Sequence, residues 1–189
     1  GNRGNVQMAI ERWNEAIVIL ERLLEENPQD IESRMLAIET CNSLFLAAMK
    51  NDDREVASKW LEKARQLSAT LQKGDMDQWN LLMAVLRNKA KLKGVSADPE
   101  QDETNQEMLQ LAEFGIDNFK TDDGLPDLRV ERNATLTWNR IAFQLSTNGM
   151  HEKALEYYQR SLDSREAMMA GNGKDNSRED IAMFRRDVN

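Results

Sequence analysis

Trp138-Asn-Arg-Ile-Ala-Phe-Gln-Leu145, a turn at Asn148-Gly149, and Ala154-Leu-Glu-Tyr-Tyr-Gln-Arg-Ser161 form the stretch that decides the fold. Trp138, Ile141, Ala142 and Leu145 recur at helical spacing, and so do Ala154, Tyr158 and Ser161. The segment therefore reads as two antiparallel helices joined by a short turn. A single pair of this kind cannot bury its own apolar face, so it must stack on neighbouring pairs.

Working outward, the rest of the chain is built the same way. Three prolines and nine glycines in 189 residues leave room for long uninterrupted helices. No sustained alternation of β-branched residues marks a strand. Ile10, Trp13, Ile17, Leu20 and Leu24 form a helical stripe that ends at Asn27-Pro28, where proline cannot continue the ladder. A helix over 31–50 follows, then a turn at Asn51-Asp52-Asp53, then a helix over 54–71. Ala57, Leu61 and Ala64 sit where short side chains let paired helices approach closely. Asp75 is the expected N-cap of the next helix, through Trp79, Leu82, Met83 and Leu86.

Residues 95–103 form a polar linker containing Asp98-Pro99. It exceeds a short turn and is expected to be among the most mobile parts of the chain, cut by a protease before any helix is. A helix over 104–119 places Met108, Ala112 and Gly115 at close-contact positions. Residues 127–147 and 151–170 make the pair quoted above, and 178–189 begin one more helix.

These spacings resemble the tetratricopeptide repeat, whose template is W-x2-L-G-x2-Y followed by A-x3-F and a small residue. Gly4-Asn5 is similar to the Gly-Asn often found midway through the first helix of that family. Ala16, Leu20, Leu23 and Pro28 then follow at its spacing. The resemblance implies an all-α superhelix of antiparallel pairs with about nine helices in a single domain over 1–189. The pairs fall at about 4–28, 31–70, 76–119 and 127–170, with a partial repeat at 178–189. It also implies a concave groove that binds another protein or a peptide.

A narrower resemblance covers 130–189. Ser161-Leu162, Arg165-Glu166 and Asp180-Ile181 are similar to the long repeats that follow the catalytic domain in planctomycete-type bacterial serine/threonine kinases. The usual Asp-Pro of the connecting loop is replaced here by Gly-Asn-Gly-Lys. The chain itself carries no Gly-rich loop, His-Arg-Asp or Asp-Phe-Gly motif, so it would be the non-catalytic part of such a protein.

Candidate binding residues come from a recurring asparagine. Asn42, Asn80 and Asn139 each follow Cys41, Trp79 or Trp138 by one residue, and in the family that place faces the groove. The stripes run Glu39, Asn42, Leu46, Met49; then Asp77, Asn80, Ala84, Arg87; then Leu136, Asn139, Phe143, Ser146. Asn42, Asn80, Arg87, Asn139 and Phe143 are the expected partner-binding set. Asparagine amides both donate and accept, which suits the main chain of an extended peptide. The same amides also suit bonds to neighbouring helices. Some members of the family clamp a C-terminal carboxylate with basic residues; Glu39 and Asp77 on these stripes argue against that here.

Other classes are disfavoured. The net charge of −8, with no basic stripe, lacks the footprint of a nucleic-acid binder and mildly favours neutral or basic partners. No apolar run reaches the roughly 20 residues that span a bilayer. No signal peptide is visible, and a cytoplasmic location is expected. Cys41 is the one cysteine, so no internal disulfide forms, and its apolar neighbours mark it as a small core residue. The lone His151 lies at a turn without catalytic or metal-binding company. No enzyme, metal or cofactor is expected. Trp13, Trp60, Trp79 and Trp138 read as core residues. Met168, Met169 and Met183 read as a sticky face for a following repeat. The alternative to a peptide-binding scaffold is an assembly module that stacks copies into a homo-oligomer.

Overall fold

The computed structural model describes the backbone of residues 2–122 and 124–171, with side chains over 7–122 and 124–166. Seven helices follow in order: α1 (Asn2–Glu26), α2 (Ile31–Lys50), α3 (Arg54–Ser68), α4 (Met76–Lys93), α5 (Glu103–Asn118), α6 (Leu128–Thr147) and α7 (His151–Gly171). The only non-helical pairing among the described residues is an isolated antiparallel bridge between Lys120 and Pro126. The fold is all-α, and its packed helix pairs are consistent with a tetratricopeptide-like repeat.

The described residues hold seven helices, where about nine were expected for the whole chain. Residues 4–28 hold one continuous helix rather than a pair. Gly4 costs a helix only about 1 kcal/mol relative to alanine, and no residue before Pro28 removes a backbone donor. The helix expected over 178–189, with Met183, lies outside the described residues. So do the turn expected after residue 171 and the side chains of Met168 and Met169.

Aspartate starts each of the five helices from α2 to α6. The carboxylates of Asp30, Asp53, Asp75, Asp102 and Asp127 accept from the amides of Ser33, Val56, Gln78, Asn105 and Arg129 at 2.8–3.1 Å. A cap of this kind is worth typically about 1 kcal/mol. It also fixes where along the sequence each helix begins, and the register of every later side chain follows from that.

The chain forms two compact units, Gly1–Gly94 and Val95–Asn189. The boundary falls inside the segment read as a third pair, so α4 and α5 belong to different units. In the first unit α2 packs on α1, α3 and α4, and α3 packs on α4. Ile17 and Leu20 of α1 meet Ile38 and Phe45 of α2, with Leu81 and Val85 of α4 completing the core. Ala57 and Ala64 are fully buried, as close helix approach requires. In the second unit α6 packs on α5 and α7.

The two units repeat one design. A shift of 97 residues carries Ile31 onto Leu128, Arg54 onto His151 and the cap Asp30 onto Asp127. The C-cap Asn51 falls on Asn148, with nearly the same backbone angles (φ −90°, ψ 7° against φ −86°, ψ 7°). Ala57 falls on Ala154, and Ala64 on Ser161; all four are buried. Tyr158, expected inside its pair, is instead 41% exposed.

Ala154 packs against Ile141 and Leu145. Ala154→Leu is therefore expected to overpack the α6/α7 contact and cost roughly 1–3 kcal/mol. An unchanged midpoint in urea would show that this contact has room to spare.

The linker is not the loose segment expected. The Asn148 side chain donates to the carbonyls of Ser96 and Ala97 at 2.8 and 3.0 Å. Asn105 donates to the Pro99 carbonyl at 2.9 Å, and Lys153 pairs with Glu100. Pro99 and Asp102 are buried. A polar composition predicts solvent exposure only when the polar groups find water; here they find α5, α6 and α7.

Candidate partner-binding surface

The asparagine stripes lie at the surface of their helices, but their registers are not all alike. Asn42 stands twelve residues beyond its cap Asp30, and Asn139 twelve beyond Asp127. Asn80 stands only five beyond Asp75. The position twelve beyond Asp75 is Arg87. The seven-residue difference is about two helical turns. The threefold equivalence expected from the Cys/Trp-Asn pairs is therefore twofold: Asn42 matches Asn139, and Asn80 sits elsewhere along its helix.

Asn42 is half-buried on α2, and its Oδ1 accepts from the Nδ2 of Asn88 on α4 at 2.8 Å. Asn88 is 7% exposed. That bond ties neighbouring first helices together, so the Asn42 amide is in part a structural tie. Asn80 and Arg87 are half-buried on α4 and both are engaged by neighbours. Asn139 is half-buried on α6. Phe143, one turn further, is 59% exposed. Leu46, one turn beyond Asn42, is 47% exposed. The shift of 97 residues puts the two pairs at equivalent positions from their caps, so each unit presents an asparagine with a large exposed apolar side chain four residues on. Helical geometry puts both members of each pair on one face.

The aromatic residues split by depth. Trp79 is fully buried and Trp138 is 4% exposed, as core positions. Arg160 of α7 lies over the Trp138 ring, its guanidinium carbon 4.7 Å from the centroid. Trp13 and Trp60 are half-buried, with the Lys63 ammonium 5.9 Å from the Trp60 centroid. Cys41 is fully buried, and burial pushes its thiol up to about 12, so it is a core residue and not a nucleophile.

One feature of α6 escaped the reading of the sequence. Glu131 is 3% exposed, and its Oε1 has no hydrogen-bond partner. Thr135 Oγ1 and Trp138 Nε1 are also buried without partners. The three residues stand at i, i+4 and i+7, one helical stripe. Burial raises the Glu131 pKa above the usual glutamate value. The signal was present in the sequence: Glu131 is seven residues before the core tryptophan, on the same face.

Among the described residues, no three His, Cys, Asp or Glu side chains are grouped to hold a metal. No helix among them is long and apolar enough to cross a membrane.

The chain is similar to a receptor. It is 30% identical over 168 residues to the peroxisomal targeting signal receptor of Kluyveromyces lactis, an alignment covering 84% of this chain and 28% of the receptor. The chain thus spans little more than a quarter of that relative's length. No family model matches the chain, and no solved structure matches it. The likeness and the helix-pair packing together fit a tetratricopeptide-like repeat.

Proposed function

We propose that this chain is a protein-interaction scaffold that binds a peptide or a helix of a partner along its first-helix faces. The observation that carries the reading is the repeated pair: Asn42 with Leu46, and Asn139 with Phe143, at equivalent places in the two units. An exposed aromatic supplies an apolar anchor, and an amide beside it supplies main-chain hydrogen bonds, a common division at such interfaces. Asn80 and Arg87 extend the surface on α4. The Kluyveromyces relative is a receptor for a targeting signal by name, which favours a peptide as the partner. That residues 1–189 make one repeat array, and that the protein is cytoplasmic, belong to this proposal. Parentage from a bacterial serine/threonine kinase is a finer proposal. Among the described residues it rests on Ser161-Leu162 and Arg165-Glu166 alone.

The test uses peptides selected by display on the wild-type chain. Phe143→Ala and Asn139→Ala should each weaken the selected peptides at least about tenfold, which is about 1.4 kcal/mol. Phe143 is exposed and Asn139 half-buried, so stability should stay within about 1 kcal/mol of wild type. Peptides that bind both variants as tightly as wild type would remove α6 from the binding surface. Self-association of the chain in light scattering, abolished by Phe143→Ala, would favour the assembly alternative instead.

A further inference from the structure

The outward face of α6 is basic, on a chain whose net charge is −8. Arg129, Arg132, Leu136, Asn139, Arg140 and Phe143 recur at intervals of three and four, so they share one face of the helix. Arg129, Arg132 and Phe143 are exposed, and the other three are half-buried. The same helix exposes no carboxylate: its one acidic residue, Glu131, is buried on another stripe. The cap carboxylate of Asp127 pairs with the Arg129 guanidinium at 3.2 Å. It also accepts from the Arg129 amide at 2.8 Å and so is compensated by the positive end of the helix. Half-buried Arg140 lies in the field of buried Asp102. The charge offered outward therefore comes chiefly from Arg129 and Arg132. The counterpart face of α2 is different. The shift of 97 residues carries Glu32 onto Arg129, Met35 onto Arg132, Glu39 onto Leu136 and Leu46 onto Phe143. Glu32, Glu39 and Leu46 are exposed. The large apolar side chain is kept in both units, while the acidic residues on its face in the first unit give way to basic and apolar ones in the second.

We infer that the α6 face takes an acidic segment of a protein partner, one with an apolar residue that covers Phe143. The inference rests on the peptide-binding reading above and adds the chemistry of the occupant. Charge complementarity selects it. Carboxylates set against Arg129 and Arg132 meet planar donor forks that match carboxylate oxygens in pairs. Both guanidiniums already engage neighbours. With five donors, an exposed guanidinium keeps such a neighbour and still takes a further acceptor. A basic segment would meet like charge there, with no exposed carboxylate on α6 to compensate it. The first unit, with Glu32 and Glu39 on the equivalent face, would repel the same acidic segment. The second unit therefore makes the selection. Along α6, Arg132 and Phe143 stand about 16 Å apart, a distance that an extended chain crosses in about five residues. The acidic residues of the partner then lie about that far from its apolar one. Net charge pointed the other way, to neutral or basic partners, because it averages over faces that one partner never touches together.

The probes are two dye-labelled synthetic peptides that share one leucine and a short neutral spacer and end in either three glutamates or three lysines. Fluorescence anisotropy on the full chain at low salt should show the acidic peptide binding at least about tenfold more tightly than the basic one. Added salt should shrink that difference. Arg129→Gln/Arg132→Glu should cost the acidic peptide at least about tenfold and leave the basic one no weaker. Both sites are exposed, so helix content should be unchanged; if the double variant unfolds, Arg132→Gln decides, with a loss of about threefold expected. Phe143→Ala should also weaken the acidic peptide. Equal binding of the two peptides, both lost in Phe143→Ala, would overturn the acidic preference and leave the peptide-binding face standing. Binding indifferent to Phe143→Ala would remove that face and this inference with it. Failure of the acidic peptide to bind would overturn the inference. So would its displacement by a single-stranded oligonucleotide as readily as by unlabelled peptide. Self-association of the chain alone, lost in Arg129→Gln/Arg132→Glu, would overturn it in favour of the acidic α2 face of a second copy.

Discussion

Trp79→Ala is expected to cost the first unit about 3–5 kcal/mol, the range for removing a fully buried large aromatic. The indole is 0% exposed near the start of α4, the largest fully buried side chain in the described residues. Its loss removes apolar transfer energy and leaves a cavity that Met83, buried one turn on along the same face, cannot fill without moving the backbone of α4. Domains are typically stable by only about 5–15 kcal/mol in total, so the variant should be near its folding threshold at body temperature. Urea unfolding followed by circular dichroism reads the loss. A change below about 1 kcal/mol would mean that the ring is solvated.

Glu131→Gln is expected to stabilise the second unit at neutral pH and to change its pH dependence. The carboxyl is buried with Oε1 unpartnered, and burial raises its pKa in the folded chain. The native state therefore holds the proton more tightly than the unfolded state does. Its stabilising contribution is complete below the unfolded value, 4.5, and is lost as pH rises through the raised native value. At neutral pH the buried charge opposes folding. The glutamine does not titrate, so the stability of wild type minus variant should fall as pH climbs above 4.5. At neutral pH the variant should be ahead, because the glutamine amide, buried in the same place, has no charge to desolvate. Asp30 is shifted the other way by its bonds to Ser33, but it is present in both proteins and cancels in the difference. Parallel pH curves, or a less stable variant at neutral pH, would show that the carboxylate is charged and well solvated or paired.

Much of the helical layout was legible in residue spacing. Ala57, Leu61 and Ala64 announced a helix that packs closely, and all three are buried on α3. Asp75 announced an N-cap, and its carboxylate accepts from Gln78 N at 2.9 Å. Trp79 and Trp138 announced core positions. These signals are local: a helix places residues three and four apart on one face whatever lies around it. The equivalence of Asn80 with Asn42 and Asn139 failed for a related reason. The dipeptide Trp-Asn looks the same at 79 and 138, but the distance from the cap differs by two turns, and the cap sets which level of the helix a neighbour meets.

Residue order alone determined that this chain makes amphipathic helices, where most of them begin, and which of their faces seek cover. It also placed an amide and a large apolar side chain together on α2 and again on α6. Tertiary packing decided what those faces meet. It tied Asn42 to Asn88, drew the polar linker onto Asn148, Asn105 and Lys153, and left Phe143 open to solvent. It also buried Glu131 without a partner for its Oε1. The physical reason is range. Helix periodicity and capping are settled within a few residues, whereas burial and hydrogen-bond satisfaction depend on side chains tens of residues away, brought close only when the helices pack.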